Sequence, residues 1–195
     1  MKEQPGADEI AREAVEAGIP PADILNELIS AMNIVGQKFS QNKIFVPQML
    51  LSAKSMNAAM MHLKPFFACG KVQRKGTFII GTVFGDLHDI GKNLVKMMIE
   101  GAGWEVIDLG IDVKVEKFVE AVQQHSEAVV GISALLTTTM VNIMPVIEAI
   151  KAVSPQTKII VGGAPLSHEF ATSIGADAYG KTPQESIVWL NSIAS

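Results

Sequence analysis

The sequence predicts an N-terminal all-α helical bundle followed by a C-terminal α/β domain, a flavodoxin-like, doubly wound parallel sheet of five strands. Apolar residues recur at helical spacing through the first third of the chain. From Thr77 onward, short apolar runs alternate with helical periods, which is typical of βαβ units in a parallel sheet covered on both faces. We therefore expect a bundle at 1–67, a linker at 68–76 and the α/β domain at 77–195.

The first part is expected to contain three helical segments, over residues 8–17, 20–39 and 47–66. The first segment ends at Gly18, and proline is tolerated in the first turn where the other two begin. A break inside the third segment is possible, but the pattern does not locate it. The linker is small and basic with two glycines, so few of its groups could fix the two parts rigidly.

The second part is expected to contain five strands and five helices. The predicted strands are 77–83, 105–109, 128–132, 158–161 and 176–179, and the predicted helices are 91–102, 114–124, 139–152, about 166–174 and 183–194. In a sheet of this kind ligands bind at the carboxyl ends of the strands. The loops that follow the strands are therefore the places to look for chemistry.

Composition excludes several classes of function. The 195 residues are 48% hydrophobic and 18% charged, with a net charge of −4, so no basic surface for nucleic acid or membrane is expected. The single cysteine, Cys69, excludes an internal disulfide. A polar N-terminus without an apolar leader favours a soluble, cytoplasmic protein.

The loop after the first strand contains a candidate metal ligand. His88 is its only side chain with an sp² nitrogen lone pair, and Asp86 stands two residues before it. A carboxylate bonded to one ring nitrogen fixes the tautomer and raises the basicity of the other nitrogen. Asp86, His88 and Asp89 could instead hold Zn²⁺ or Mn²⁺, although that alternative needs a further ligand.

Three further segments should meet this loop at the same edge of the sheet. One is the hydroxyl-rich loop from Ser133 to Thr139, and another is the glycine pair Gly162-Gly163. The last is Tyr179-Gly180 at the end of the fifth strand. Paired glycines remove side chains where a large group must approach the backbone.

At these positions the chain resembles a known family. Asp86-x-His88-x-x-Gly91, Ser133-x-Leu135 and Gly162-Gly163, separated by 41 and 26 residues, are similar to the cobalamin-binding signature of corrinoid methyltransferase proteins. That family includes the cobalamin-binding module of methionine synthase and the methanol and methylamine corrinoid proteins. The segment from Phe45 to Ala53 likewise resembles the helical cap of methionine synthase. The cofactor implied is cobalamin, as methylcobalamin or a related corrinoid, with its cobalt.

The resemblance also implies roles for individual residues. His88 would replace the cofactor's benzimidazole as the lower ligand of cobalt, with Asp86 behind it and Thr139 completing a relay, so these three are the expected catalytic set. Methionine synthase has serine at the position of Thr139, and threonine keeps the hydroxyl. The full set of expected cofactor-binding residues is Asp86, His88, Asp89, Ile90, Gly91, Ser133, Leu135, Thr137, Thr139, Gly162, Gly163, Tyr179 and Gly180.

The function implied is that of a corrinoid carrier, a non-autonomous subunit of a methyltransferase system. It would bind cobalamin base-off/His-on and shuttle a methyl group through Co(I) and methyl-Co(III). The chain is too short for a donor or acceptor barrel of about 250 residues. Partners in trans are therefore expected: a substrate-specific methyltransferase, an acceptor methyltransferase of the tetrahydrofolate or coenzyme M type, and a reductive activase.

Two alternatives stay open from the sequence. One is a cobalamin-dependent sensor without methyl transfer, although no basic helix-turn-helix precedes residue 8. The other is a flavodoxin-like phosphate or metal-binding domain that holds no corrinoid.

Overall fold

Two compact units make up the chain in the computed structural model, which describes residues 6–68 and 73–194. The first unit comprises Met1–Lys75 together with Met97–Trp104, and the second comprises Gly76–Lys96 with Glu105–Ser195. Residues 69–72 of the predicted linker, including Cys69, lie outside the described residues. The helical unit thus includes a segment that the sequence pattern assigned to the α/β domain.

Four helices form the N-terminal part of the helical unit. They are α1 Ala7–Glu16, α2 Pro21–Ser40, α3 Val46–Met61 and α4 Lys64–Ala68. The break that the sequence did not locate falls between Met61 and Lys64. Helix α3 begins after Phe45, whose backbone N–H donates to the Gln48 side chain at 2.7 Å. This bond satisfies one of the backbone donors left open at a helix start.

The segment from Met97 to Trp104 belongs with these helices through specific contacts. Asn57 donates to the Glu100 carboxylate at 3.3 Å. The Arg74 guanidinium donates to the Trp104 carbonyl at 3.1 Å and lies 4.6 Å from the centre of the Phe67 ring. A hypothetical Cβ on Gly101 would lie 2.8 Å from Met32, so only glycine allows that approach without a shift.

The second unit is a five-stranded sheet with the order β2-β1-β3-β4-β5, and every pairing is parallel. Its elements are β1 Thr77–Val83, α5 Ile90–Gly101, β2 Glu105–Val113, α6 Val115–Gln124, β3 Val129–Ser133, α7 Ile143–Val153, β4 Ile159–Gly162, α8 His168–Ser173, β5 Ala178–Tyr179 and α9 Pro183–Ile193. A short 3-10 turn at Met140–Asn142 precedes α7. The predicted fold class is confirmed.

Apolar side chains from the strands and from helices α6 and α7 form the main core of this unit. Its fully buried members include Ile79, Phe118, Val130, Ile143, Ile150 and Ile159. Strands buried on both faces read as continuous apolar runs, which is why β1, β3 and β4 were visible in the sequence. Among residues 6–68 and 73–194, no helix is both long and apolar enough to cross a membrane.

Strand β2 is longer than predicted. The sequence pattern predicted an end at residue 109, but the strand runs to Val113. Its register against β1 shifts twice, and Gly110 and Asp112 have φ values of 92° and 53°. The two irregular positions absorb extra residues, as bulges do, so that Val113 at the end of β2 lies opposite Val83 at the end of β1. Strand β5 is shorter than predicted, with two residues.

Candidate functional site

Three loops meet at the carboxyl edge of the sheet, after β1, β3 and β4. The loop after β1 contains Asp86 and His88, and the loop after β3 contains Leu135 and Thr139. Hydrogen bonds that span 49 to 53 residues of sequence join these two loops. The parallel register places the ends of β1 and β3 side by side, with Thr82 opposite Ser133.

The Asp86 carboxylate is fully buried and lies at the centre of the site. Its Oδ1 accepts hydrogen bonds from the His88 backbone N–H at 3.0 Å and from His88 Nδ1 at 2.8 Å. Its Oδ2 accepts from the Thr139 hydroxyl at 2.6 Å, from Leu135 N–H at 2.7 Å and, at 3.4 Å, from Leu136 N–H. One side chain thereby ties the two loops together.

This environment holds Asp86 in its charged form. Burial by itself would raise the pKa of the carboxyl group, because a charge loses hydration inside the protein. The bonds donated by Thr139, Leu135 and His88 outweigh that effect, so the pKa lies well below its usual range. An ionised carboxylate can only accept hydrogen bonds, and therefore the proton between the two side chains belongs to His88 Nδ1.

The His88 imidazole is oriented for ligation. In the neutral form of the ring, a proton on Nδ1 bonded to Asp86 leaves the lone pair on Nε2. The His88 side chain is 48% exposed, so an external ligand can reach the ring. The His88 carbonyl accepts a bond from the buried Thr82 hydroxyl at 3.1 Å, which fixes the backbone of the loop.

Several residues that hold this loop were missed by the sequence analysis. Asp112 accepts a bond from Gly85 N–H at 2.7 Å, and its own N–H donates to the Asp86 carbonyl at 3.1 Å. Asn142 donates to the Phe84 carbonyl at 2.9 Å. An aspartate two residues after a glycine at a strand end is a turn signal, but it does not say which loop the carboxylate will meet.

The end of the loop that leads into α5 is held by a buried ion pair. Lys92 Nζ lies 2.6 Å from Asp108 Oδ1, with a lysine side chain only 2% exposed. Lys96 contacts the other Asp108 oxygen at 3.2 Å. Burial would raise the pKa of Asp108, but the bonds from Lys92, Gly110 N–H and Lys96 lower it overall.

The glycines of the predicted site divide into two kinds. Gly163 has a φ of 136° and a Cβ there would overlap the Ala134 carbonyl, while a Cβ on Gly162 would lie 3.1 Å from the Gly180 carbonyl. Close packing of the protein itself therefore requires glycine at 163 and leaves little room for a side chain at 162. Gly91 is different, because its Cβ would meet nothing within 4 Å.

The remaining predicted residues surround the same edge. Asp89 accepts from the Asn93 side chain at 3.0 Å, and Ile90 is 75% exposed. Ser133 ends β3, with Leu135 and Thr137 in the loop beyond it. Tyr179 ends β5, and burial together with the nearby Glu185 charge raises the pKa of its phenol.

The donor set does not fit a bare metal ion. Over residues 6–68 and 73–194, no group of three or more His, Cys, Asp or Glu side chains could hold one. The Asp86 oxygens are already engaged with donors from the protein. The site offers one imidazole nitrogen, which suits a metal whose other ligands come from its own cofactor.

Comparisons with known proteins decide which cofactor this is. Two family models, each described as a B12 binding domain, match residues 3–64 and 76–188. The chain belongs to the cobalamin-binding corrinoid protein family. The predicted family and its corrinoid cofactor are confirmed, and the single imidazole donor fits a cobalt that the corrin ring already coordinates.

Relatives of this corrinoid protein span nearly its whole length. It is 42% identical to the trimethylamine corrinoid protein of Methanosarcina barkeri, over 93% of this chain and 86% of the relative. It is 38% identical to dimethylamine corrinoid protein 3 of Methanosarcina acetivorans, over 91% and 84%. Both matches include the helical part and the α/β part.

Solved structures agree with this assignment. The methanol:cobalamin methyltransferase complex MtaBC of Methanosarcina barkeri matches with a TM-score of 0.83 at 29% identity, over 94% of this chain and 71% of that one. A cobalamin-binding protein of Desulfitobacterium hafniense matches with a TM-score of 0.80 at 28% identity, over 95% and 89%.

Proposed function

We propose that this corrinoid protein is a methyl carrier, which accepts a methyl group from one methyltransferase and delivers it to a second. The observation that supports this most directly is the hydrogen-bonded series Thr139–Asp86–His88, which presents a single imidazole nitrogen at the edge of the sheet. The names of the relatives, trimethylamine and dimethylamine corrinoid proteins, favour a methylated amine as the methyl donor.

In this proposal the cofactor binds base-off/His-on. His88 Nε2 would bind cobalt in place of the cofactor's own base. Ser133, Leu135, Gly162 and Gly163, together with Tyr179 and Gly180, would hold the nucleotide tail. When bound, cobalamin supplies a cobalt centre that can take up and release a methyl group.

The protein's own residues set the state of the ligand nitrogen. Asp86 stays ionised and accepts a hydrogen bond from His88 Nδ1, so that in the neutral imidazole the lone pair is on Nε2. The Thr139 hydroxyl and the Leu135 N–H donate to the other carboxylate oxygen of Asp86. The loop after β3 therefore fixes the carboxylate that orients the His88 ring. A carboxylate behind a ligand histidine raises its basicity.

Two methyltransferases and a reductive activase complete the proposal as partners in trans. The acceptor enzyme would be of the tetrahydrofolate or coenzyme M type. The structural neighbour is itself a methyltransferase complex, which supports a partner of that class.

Isotope-edited electron paramagnetic resonance tests the ligation. The protein is reconstituted with hydroxocobalamin, reduced to cobalt(II), and prepared with natural or ¹⁵N-labelled histidine. We expect the axial nitrogen splitting to change from three lines to two on labelling, and this response to the label to be lost in His88→Ala. His125→Ala, at the end of α6, is the control that should keep it. A splitting that labelling leaves unchanged would mean that benzimidazole still binds the metal.

A transfer assay tests the carrier role separately. Reconstituted protein is mixed with a methylamine methyltransferase, trimethylamine or dimethylamine, and an activase, and then with an acceptor methyltransferase. We expect the methyl group to reach the acceptor thiol or pterin only when this protein is present. Binding of cobalamin without transfer to any of these acceptors would instead support a sensor.

A further inference from the structure

Strand β2 supports the cofactor loop from the side opposite to the Asp86 carboxylate. The last residue of β2, Val113, lies opposite Val83, the last residue of β1, and Asp112 just before it bonds to the backbone on both sides of the Gly85–Asp86 peptide. Asp112 Oδ1 accepts from Gly85 N–H at 2.7 Å, and Asp112 N–H donates to the Asp86 carbonyl at 3.1 Å.

We propose that Asp112 is a positioning residue for the cofactor loop, holding Asp86 and through it the His88 ring in the orientation that ligation requires. This inference rests on the proposed role of His88. The hydrogen bonds of Asp112 described here go to the backbone of Gly85 and Asp86 and not to the His88 ring, so its effect passes through that backbone.

The backbone of the loop shows what Asp112 holds. Gly85 lies beyond the end of β1, at an exposed position with a φ of 80°, and its N–H donates to the Asp112 carboxylate. Asp86 N–H turns back to the Val83 carbonyl at 3.1 Å. The bond from Gly85 to Asp112 fixes the Phe84–Gly85 peptide, and the bond from Asp86 to Val83 fixes the peptide between Gly85 and Asp86.

The conformation of β2 is arranged to bring Asp112 to that point. The register passes from Gly81 opposite Gly110 to Val83 opposite Val113, so β2 contains one residue more than β1 over this stretch. Asp112 adopts a φ of 53°, a left-handed conformation that aspartate and asparagine tolerate better than most residues. The same strand holds the other end of the loop through the pair Asp108–Lys92.

Three variants at position 112 separate the hydrogen bond from the backbone conformation. Asp112→Ala removes the acceptor and keeps a Cβ, whereas Asp112→Gly removes the acceptor and relieves the left-handed conformation. Asp112→Asn keeps an oxygen acceptor and the tolerance of positive φ. Asp177→Ala is the matched control, because Asp177 also accepts from a backbone N–H, that of Ile159 at 2.9 Å, at the opposite edge of the sheet.

Two measurements are made on each variant. Amide hydrogen exchange of the cofactor-free protein follows Gly85 and Leu135, and labelled-histidine paramagnetic resonance of the reconstituted protein gives the fraction of cobalt ligated by His88. We expect Asp112→Ala and Asp112→Gly to exchange both amides faster and to bind histidine to cobalt about tenfold more weakly. Asp112→Asn should restore both, and Asp177→Ala should lower the unfolding midpoint without changing either.

Full histidine ligation in Asp112→Ala, or a failure of Asp112→Asn to restore it, would overturn the inference. Wild-type protein without a histidine splitting would overturn the proposed function instead. In that case the exchange of Leu135 decides the positioning role alone: unchanged exchange in Asp112→Ala rejects it.

Discussion

At the scale of single residues, the Asp86 carboxylate is enclosed by donors from two loops, and none of its hydrogen bonds leaves the protein. In the unfolded chain the same group would be hydrated and would have an ordinary pKa of about 3.9. The difference between the two states makes stability depend on pH, because a group whose pKa is lowered by folding favours the folded state only while it is ionised.

We expect the cofactor-free protein to lose stability as the pH falls below about 4, since the unfolded state then binds more protons than the folded state. Asp86→Asn should flatten this dependence. The lowered pKa values of Asp108 and Asp177 act in the same direction and should leave a part of it. Urea unfolding from about pH 6 to about pH 3 provides the measurement. An equal pH dependence in wild type and Asp86→Asn would contradict this expectation.

Thr139 gives a second prediction at this scale. Thr139→Val keeps the shape of the side chain but removes the 2.6 Å bond to Asp86, and we expect the free energy of unfolding to fall by about 1–3 kcal/mol. Thr139→Ser retains the hydroxyl and should cost less. Thr137→Val, at an exposed position of the same loop, is the control and should change little. Chemical denaturation of the three variants compares them, and equal losses at 137 and 139 would contradict the role of the bond.

The sequence was informative about Asp86 and His88 because they are only two residues apart, so their contact is local to one loop. Thr139 could be placed only through the resemblance, since 53 residues separate it from Asp86. Asp112 could not be found, because its contact with Gly85 depends on the irregular register of β2. The pattern of side chains in a strand does not reveal such irregularities.

At the scale of elements, Gly91 at the start of α5 and Gly163 after β4 should respond in opposite ways to replacement by alanine. Gly91 is in the first turn of α5 with open space around it, so nothing in the fold requires it. Alanine is favoured over glycine in helices by about 0.5–1 kcal/mol, and we expect Gly91→Ala to stabilise the cofactor-free protein or leave it unchanged. If the glycine serves the approach of cobalamin, the same change should weaken cobalamin binding.

Gly163→Ala is the matched comparison. Its Cβ would overlap the Ala134 carbonyl and its φ of 136° is unfavourable for alanine, so the fold itself should be strongly destabilised. Thermal unfolding without cofactor, together with titration by hydroxocobalamin, separates the two cases. Lower stability in Gly91→Ala without weaker binding would contradict the assignment of Gly91 to the cofactor.

Element boundaries were predicted well where burial is continuous and less well at the ends. β1 was placed at 77–83, as observed, because six of its seven residues are buried. The end of β2 was misjudged because a glycine can end an apolar pattern without ending the strand, whereas β5 has only two of its four predicted residues. The 3-10 turn before α7 was included in the helix, because its residues Met140–Asn142 continue the helical spacing.

At the scale of the whole molecule, the two units are not divided by a single point in the chain. Residues Met97–Trp104 belong to the helical unit, although β1 and the cofactor loop precede them. The sequence predicted one boundary near 68–76, because composition changes there. The composition of residues 1–75 does not reveal that the later segment Met97–Trp104 packs with them.

We expect a fragment of residues 1–75 to fold incompletely. It lacks the segment that bonds to Asn57 and Arg74 and that packs against Met32. Far-ultraviolet circular dichroism should show less helix than four complete helices would give, and a synthetic peptide of residues 90–104 should increase it. The full chain under the same conditions is the control. Cooperative unfolding of the fragment with full helix content would contradict this expectation.

The segment Met97–Trp104 also affects how the two parts of such a protein can be recombined with others. A gene fusion made at residues 68–76 would separate the helices from eight residues that their fold includes. The protein that receives the transplanted helices would have to supply an equivalent segment. The α/β part left behind would expose Met98, Ile99 and Trp104, which are buried here. This chain connectivity therefore favours inheritance of the helical part and the α/β part together.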